Sequence, residues 1–277
     1  MLTLGVIITG ILNHDYLGEI FRGIADTTKQ HQAELLVSIQ NRTRQDNLAP
    51  LLEGNTCDGV IIVAPYRFVP ILELCRQHHR PYALIDYPVG ENIDGVITVE
   101  AKNCEAVQDA MVHLFKLGHR RIGFITGALT TACGQQRLQG YQDALSAAGI
   151  AYHPALVGDG KWEQQSAYAS AKTILALEHP PTAIVASCDL SAFGVMQAAR
   201  DAGLAIGKSF SVIGFDDIRG AASSTPPLTT IRQPIYPMGK KAVELLIQQL
   251  RGEVLPEIHV QFDTELIIRQ STGRAPA

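Results

Sequence analysis

The sequence predicts an α/β protein with two parallel sheets, each covered by helices on both faces. Three observations carry that expectation. Short β-branched runs alternate with amphipathic stretches almost from end to end, as in chained strand–helix–strand units. Most of these runs are continuously apolar, the mark of strands covered on both sides. The alternation also runs twice, before and after about residue 106, without a short tandem repeat. Two similar architectures fit that pattern, and a solenoid does not.

In chain order, residues 4–8 form the first strand candidate. Behind Asp15, a candidate N-cap, Leu17, Ile20, Phe21 and Ile24 follow the i, i+3, i+4, i+7 spacing of a helix. Strands are expected at 35–39, 59–63, 82–85 and 95–98. Val107, Ala110, Met111 and Leu114 repeat the helical spacing, and Gly118 ends that helix. A strand at 121–125 precedes the stripe Leu138, Tyr141 and Leu145, which Gly149 closes. A weaker strand lies near 155–157, and stronger ones at 183–186 and 210–214 flank a helix carrying Met196 and Ala199. Residues 225–231, two prolines and then an extended run, read as a connector between the halves. Ala242, Leu245 and Leu246 mark a last helix, and the small, polar tail from Ser271 is expected to be loosely held.

Composition narrows the function. The chain has 277 residues, with 23 Lys+Arg against 27 Asp+Glu and 18% charged. That length suggests roughly two domains of about 150 residues. A net charge of −4 without a basic cluster argues against a nucleic-acid face within these residues. No apolar stretch has the length of a membrane-spanning helix. The N-terminus lacks the basic region of a signal peptide, so a cytoplasmic protein is expected. Five cysteines without a C-x-x-C pair support neither a zinc site nor a redox motif and read as thiols in a reducing compartment. No cofactor or metal is called for.

In open parallel sheets, ligands bind beyond the carboxyl ends of the strands. That rule selects Thr9, Asn13, Asp15, Tyr16 and Asp86 in the first half. In the second half it selects residues 127–137, Cys188, Asp189, Asp216 and Asp217. If the two sets of ends face each other, they enclose a cleft for a small polar ligand. Patterns of catalysis are missing: there is no G-x-S-x-G, H-E-x-x-H, Walker A or complete G-x-G-x-x-G motif. Gly158-x-Gly160 lacks the third glycine of a phosphate cradle, so no enzyme is expected. Asp216-Asp217 reads as one ligand acceptor beside one loop or cap residue, in preference to an acid/base pair.

Each candidate also has a plainer reading. Arg137 is a five-donor fork for sugar hydroxyls or a carboxylate, or else a surface arginine. Trp162, the sole tryptophan, lies in a polar stretch where it can stack on a flat or sugar ligand. Tyr16 can be a helix-start staple. His119-Arg120-Arg121 suits a helix C-terminus better than a nucleic acid. Asp189 reads as the cap of a helix starting at Leu190, and Cys188 as a small buried group.

Five motifs stand in a telling order. They are Leu117-Gly118-His119-Arg120-Arg121-Ile122-Gly123-Phe124-Ile125, Arg137-Leu138-Gln139-Gly140-Tyr141 and Val212-Ile213-Gly214-Phe215-Asp216-Asp217. Then come Pro226-Pro227-Leu228-Thr229-Thr230-Ile231-Arg232-Gln233-Pro234 and Leu266-Ile267-Ile268-Arg269-Gln270-Ser271-Thr272. In this order and spacing the chain resembles, over essentially its whole length, the LacI/GalR family of transcriptional regulators. The resemblance implies two Rossmann-like lobes of the periplasmic binding protein-like type I, with three crossings of the chain. Residues 1–106 and 236–264 would form one lobe, and 107–235 and 265–277 the other.

It also implies that Arg137 and Asp216 contact an effector, that Trp162 packs on it, and that Tyr16 and Thr9 are first-lobe contacts. Asp86 lies at a strand end used for ligands in some members. With Asp15 and Cys188 these residues make the expected ligand-binding set. Cys188 departs from the pattern, because many sugar-responsive relatives have Asn there; the change removes an amide donor and acceptor. Family members begin with a helix-turn-helix, whereas Met1 here runs almost directly into the first strand. The expected function is therefore the effector-binding and dimerisation core of a regulator. Its partners would be a small-molecule effector, a sugar or sugar derivative, and a second copy of the chain. Operator DNA would be reached only through a helix-turn-helix segment, with ligand-induced lobe closure as the signal. A solute-binding protein for transport or chemotaxis is the alternative.

Overall fold

The computed structural model describes residues 1–9, 15–40, 52, 56–63, 69–90 and 93–276; Asn13 lies outside them. The chain divides into two compact units. One comprises Met1–Ala101, Thr130–Ala132 and Pro234–Phe262, and the other Lys102–Leu129, Cys133–Gln233 and Asp263–Ala277. These changes of unit fall a few residues before the expected 106, 236 and 264, and Thr130–Ala132 is an addition that no sequence pattern marks. Backbone bonds explain that addition: Val89 N donates to Thr130 O at 3.0 Å and Ala132 N to Tyr87 O at 2.9 Å.

The first unit is built on β1 (Thr3–Thr9), β2 (Glu34–Gln40), β3 (Gly59–Val63), β4 (Tyr82–Ile85), β5 (Ile97–Ala101) and β11 (His259–Phe262). They lie in the order β11-β5-β4-β3-β1-β2, and every pairing is parallel. Alternate residues point to opposite faces of a strand. Leu4, Val6 and Ile8 of β1 therefore meet α1 (Asp15–Gln30) and α8 (Ile235–Leu250), while Ile7 faces Ile71, Leu72 and Cys75 of α2 (Val69–Gln77). Helices α1 and α8 approach through paired glycines. A Cβ on Gly23 would lie 2.3 Å from Tyr236 O, and one on Gly239 2.4 Å from Ile20 O. The strand expected at 95–98 is displaced to β5 because Gly95 turns the chain at φ 72°.

The second unit repeats the design with β6 (Ile122–Thr126), β7 (Val157–Asp159), β8 (Ala183–Ala186), β9 (Ser211–Asp216), β10 (Thr229–Arg232) and β12 (Glu265–Ile267). Their order is β12-β10-β9-β8-β6-β7, and β12 is antiparallel to β10. One face packs Phe124, Val185, Ile213 and Phe215 against α3 (Asn103–Lys116) and α4 (Ala132–Ala147). The other packs Ile125, Ile184 and Val212 against α5 (Gln164–Leu175) and α6 (Asp189–Asp201). Each fully buried aromatic or branched side chain in these layers contributes about 1.5–3 kcal/mol.

Two expectations are corrected here. Residues 225–231 do not connect the units: they lie inside the second, where β10 follows the short helix α7 (Arg219–Ser223). The tail from Ser271 is not loose. Val212 N donates to Ser271 O at 2.8 Å, Thr229 N to Ser271 Oγ at 2.8 Å and Gly273 N to Ser211 Oγ at 3.0 Å. Small residues serve close approach there, since a Cβ on Gly273 would lie 2.2 Å from Gly207 O.

Candidate functional site

Polar groups gather at strand ends in each unit. In the first unit, α1 places Tyr16 at its second position, buried, and the Tyr16 hydroxyl donates to Asp86 Oδ2 at 3.1 Å. Asp86 follows β4 at φ 58°, a left-handed conformation that Asp tolerates better than most residues. Thr9 is the last residue of β1, and its side chain lies outside the described residues. Asp15 is the first residue of α1 and is exposed. The unit therefore brings Tyr16 and Asp86 together, while Asp15 is not part of that buried pair.

The second unit assembles a denser group. Arg137 lies in the second turn of α4 and is 3% exposed. Its Nε donates to Asn103 Oδ1 at 2.8 Å and Nη1 to Ser187 O. The guanidinium stands 3.5 Å from the centroid of the Phe215 ring and 5.3 Å from that of Trp162, within range of cation–π attraction. Asp216, at the end of β9, lies 3.8 Å from Arg137 Nη1 and accepts from Gln233 Nε2 at 2.6 Å. Trp162 packs against Gly127, where a Cβ would come within 2.1 Å of the indole.

The backbone at this group is unusual. Trp162, Asp216 and Asp217 all have positive φ, at 60°, 114° and 57°. Such conformations cost about 1–3 kcal/mol each and concentrate at ligand sites. Asp217 does not share the role of its neighbour. It accepts from Arg232 Nε at 2.7 Å and Arg269 Nη2 at 2.6 Å, tying β9 to β10 and the C-terminal segment.

Electrostatics separates the remaining acids. Asp189 is fully buried; burial first, and then the nearby Asp216, hold its carboxyl well above the usual range. It accepts from Ile218 N at 2.9 Å and Thr230 Oγ1 at 2.5 Å. This corrects the cap assignment, because Cys188 is the N-cap of α6 and its Sγ accepts from Ser191 N at 3.4 Å. A thiol can replace Ser or Asn there because it needs only one acceptor. Burial and Asp216 push the Cys188 thiol up to about 12, which favours the neutral thiol over the thiolate.

The outer candidates are structural. His119 is buried; its ring contacts Thr182 Oγ1 at 2.8 Å, Ser211 Oγ at 3.0 Å and Gly273 O at 3.1 Å. Arg120 Nη1 donates to Phe115 O and His119 O, at the end of α3. Sequence reasoning missed Asn103, Gln233 and the Phe215 ring. Phe215 and Gln233 stand in two of the five motifs with no role attached, whereas Asn103 lies outside them. Among the described residues no group of His, Cys, Asp and Glu could hold a metal, and no helix is long and apolar enough to cross a membrane.

Comparison with known proteins agrees with the fold. Residues 111–272 match the family described as periplasmic binding protein-like domain. The HTH-type transcriptional repressor CytR of Escherichia coli is 31% identical over 263 residues, 94% of this chain and 76% of that protein. A structure titled as the transcriptional regulator CelR–cellobiose complex superposes with a TM-score of 0.91 at 26% identity, covering 97% of this chain and 84% of that one. A LacI-family regulatory protein from Chloroflexus aggregans gives 0.86 at 26% identity, with 98% of each chain covered. The chain therefore belongs to the LacI/GalR family of transcriptional regulators, and it is an effector-binding core of that family.

Proposed function

We propose that this core binds a small polar effector, a sugar or sugar derivative, and that occupancy controls DNA binding by a helix-turn-helix segment of a homodimeric, cytoplasmic regulator. Arg137, Asp216, Trp162 and Cys188 make the effector contacts in the second unit. Thr9, Asp15, Tyr16 and Asp86 make those in the first. One observation carries the reading: a buried arginine lies against two aromatic rings, 3.8 Å from an aspartate at a strand end. Such a group offers the partly exposed Trp162 ring for stacking and opposite charges for hydroxyls. The cellobiose in the CelR complex supports a sugar as the class. The effector acts by binding one state of the regulator better than the other, since equal affinity shifts nothing.

A thermal-shift screen over sugars, polyols and nucleobases tests this. At a thousandfold excess over Kd a ligand adds about 4 kcal/mol, so a binder gives a clear rise in Tm. Arg137→Lys with Asp216→Asn, which keep bulk in the buried site, should abolish the rise. Undiminished binding in that double variant would show that the site has been misassigned.

A further inference from the structure

Arg137 is held from the start of the second unit. Asn103 stands one residue after that unit begins at Lys102. It opens α3 and is 1% exposed. Its two amide ends have different partners: Oδ1 accepts from Arg137 Nε at 2.8 Å, and Nδ2 donates to Gln136 Oε1 at 2.8 Å. Reversing the amide would turn its Nδ2 donor toward the Nε donor of Arg137, so the arginine, which has no acceptor, fixes which end Asn103 shows to it, and Gln136 accepts from the other. The carboxamide is neutral, so it directs the guanidinium without cancelling the charge that faces Asp216. Gln233, the last residue before the chain re-enters the first unit at Pro234, holds Asp216 in the same manner.

We infer that Asn103 is a positioning residue for effector recognition, fixing the rotation of the Arg137 guanidinium over the Phe215 and Trp162 rings. This rests on Arg137 being an effector contact. A guanidinium with Nε and Nη1 both engaged has one orientation, and a ligand meets it already arranged. Preorganisation of this kind lowers the ordering cost of binding. Because Asn103 sits where the chain enters the second unit, the orientation of Arg137 is also tied to the backbone at that crossing.

Trp162 is the only tryptophan, and it lies beside the guanidinium. The intrinsic emission of the ligand-free protein therefore reports where Arg137 stands. Asn103→Leu removes the acceptor, Asn103→Ser shortens it beyond reach and guards against overpacking by Leu, and Asn103→Asp keeps an oxygen toward Nε. The expected result is a shifted emission maximum in Asn103→Leu and Asn103→Ser, with wild-type emission in Asn103→Asp. Wild-type emission in Asn103→Leu and Asn103→Ser overturns the proposal. So does a shift common to all three variants, which marks a merely structural residue. The two readings fail separately: ligand binding that ignores Arg137→Lys and Asp216→Asn removes the site, whereas the emission result decides the role of Asn103.

Discussion

The two units share one strand order but place their buried polarity differently. In the first, the strand ends carry a Tyr16–Asp86 hydrogen bond above a core of aliphatic side chains. In the second, Arg137, Asp189 and Asp216 are all nearly or wholly buried, and carboxamides, hydroxyls and backbone groups hold them. Among the described residues, one topology thus carries either a single hydroxyl–carboxyl pair at its strand ends or several buried ionisable groups. The richer end stands only because its groups have partners, since an unpaired buried charge costs several kcal/mol. Both units depend on close packing, and the second depends on satisfied polarity as well.

The sharpest test of that contrast is Gly239→Ala. The added methyl has no room against Ile20 O, and overpacking of this kind costs about 1–3 kcal/mol or more. Chemical denaturation should show the loss, and a neutral result would remove shape as the constraint on the first unit. Next comes Asp189. Replacement by Ala strands Ile218 N and the Thr230 hydroxyl at about 1–3 kcal/mol, whereas Asn keeps an amide oxygen for Ile218 N and should stay within about 1 kcal/mol. Equal losses would mean that the bond to Ile218 N is not what Asp189 contributes.

A smaller effect follows from His119. Burial lowers its folded-state pKa below the ordinary value, so the unfolded chain takes up the proton first as pH falls. Its contribution is therefore intact above about 6.5 and declines below that. Tm should drop between neutral and mildly acidic pH, and His119→Gln should flatten that part of the curve; an unchanged slope would break the assignment. Tyr16→Phe is the mildest change. It removes one hydrogen bond to Asp86 for about 1 kcal/mol, measured by the same denaturation. A much larger loss would make the first unit's strand end as dependent on polarity as the second's.

The same contrast explains what the sequence revealed. The strands at 59–63, 82–85 and 183–186 are buried along their whole length, so an unbroken apolar run announced them. Strand β11 is half-exposed and mixes His and Gln with Val and Phe, and three-residue β12 has too little length for a pattern; neither was legible. Arg137, Trp162, Cys188, Asp86 and Asp216 could be picked out because strand ends and family motifs mark them. Asn103 lies outside every motif, and Gln233 lies inside one without a legible task, because an amide acquires its task only when tertiary structure brings it to a charge. The positive φ of Trp162 was hidden for a similar reason: packing over Gly127, not local propensity, accompanies it.

The place of α8 in the first unit's core has a consequence during synthesis. Leu4, Val6 and Ile8 leave the ribosome long before α8, yet the surface they bury against includes Met238, Ala242, Val243 and Leu246. Most of the chain must emerge before that face can close. The second unit has residues 133–233 in one continuous stretch, so most of its layers can assemble while the earliest strands still wait. Domains generally fold as units, and apolar surface exposed in the meantime invites aggregation. The nascent chain thus carries a sticky amino-terminal half until its last long helix arrives, which makes the interval between the two the period of greatest need for a chaperone.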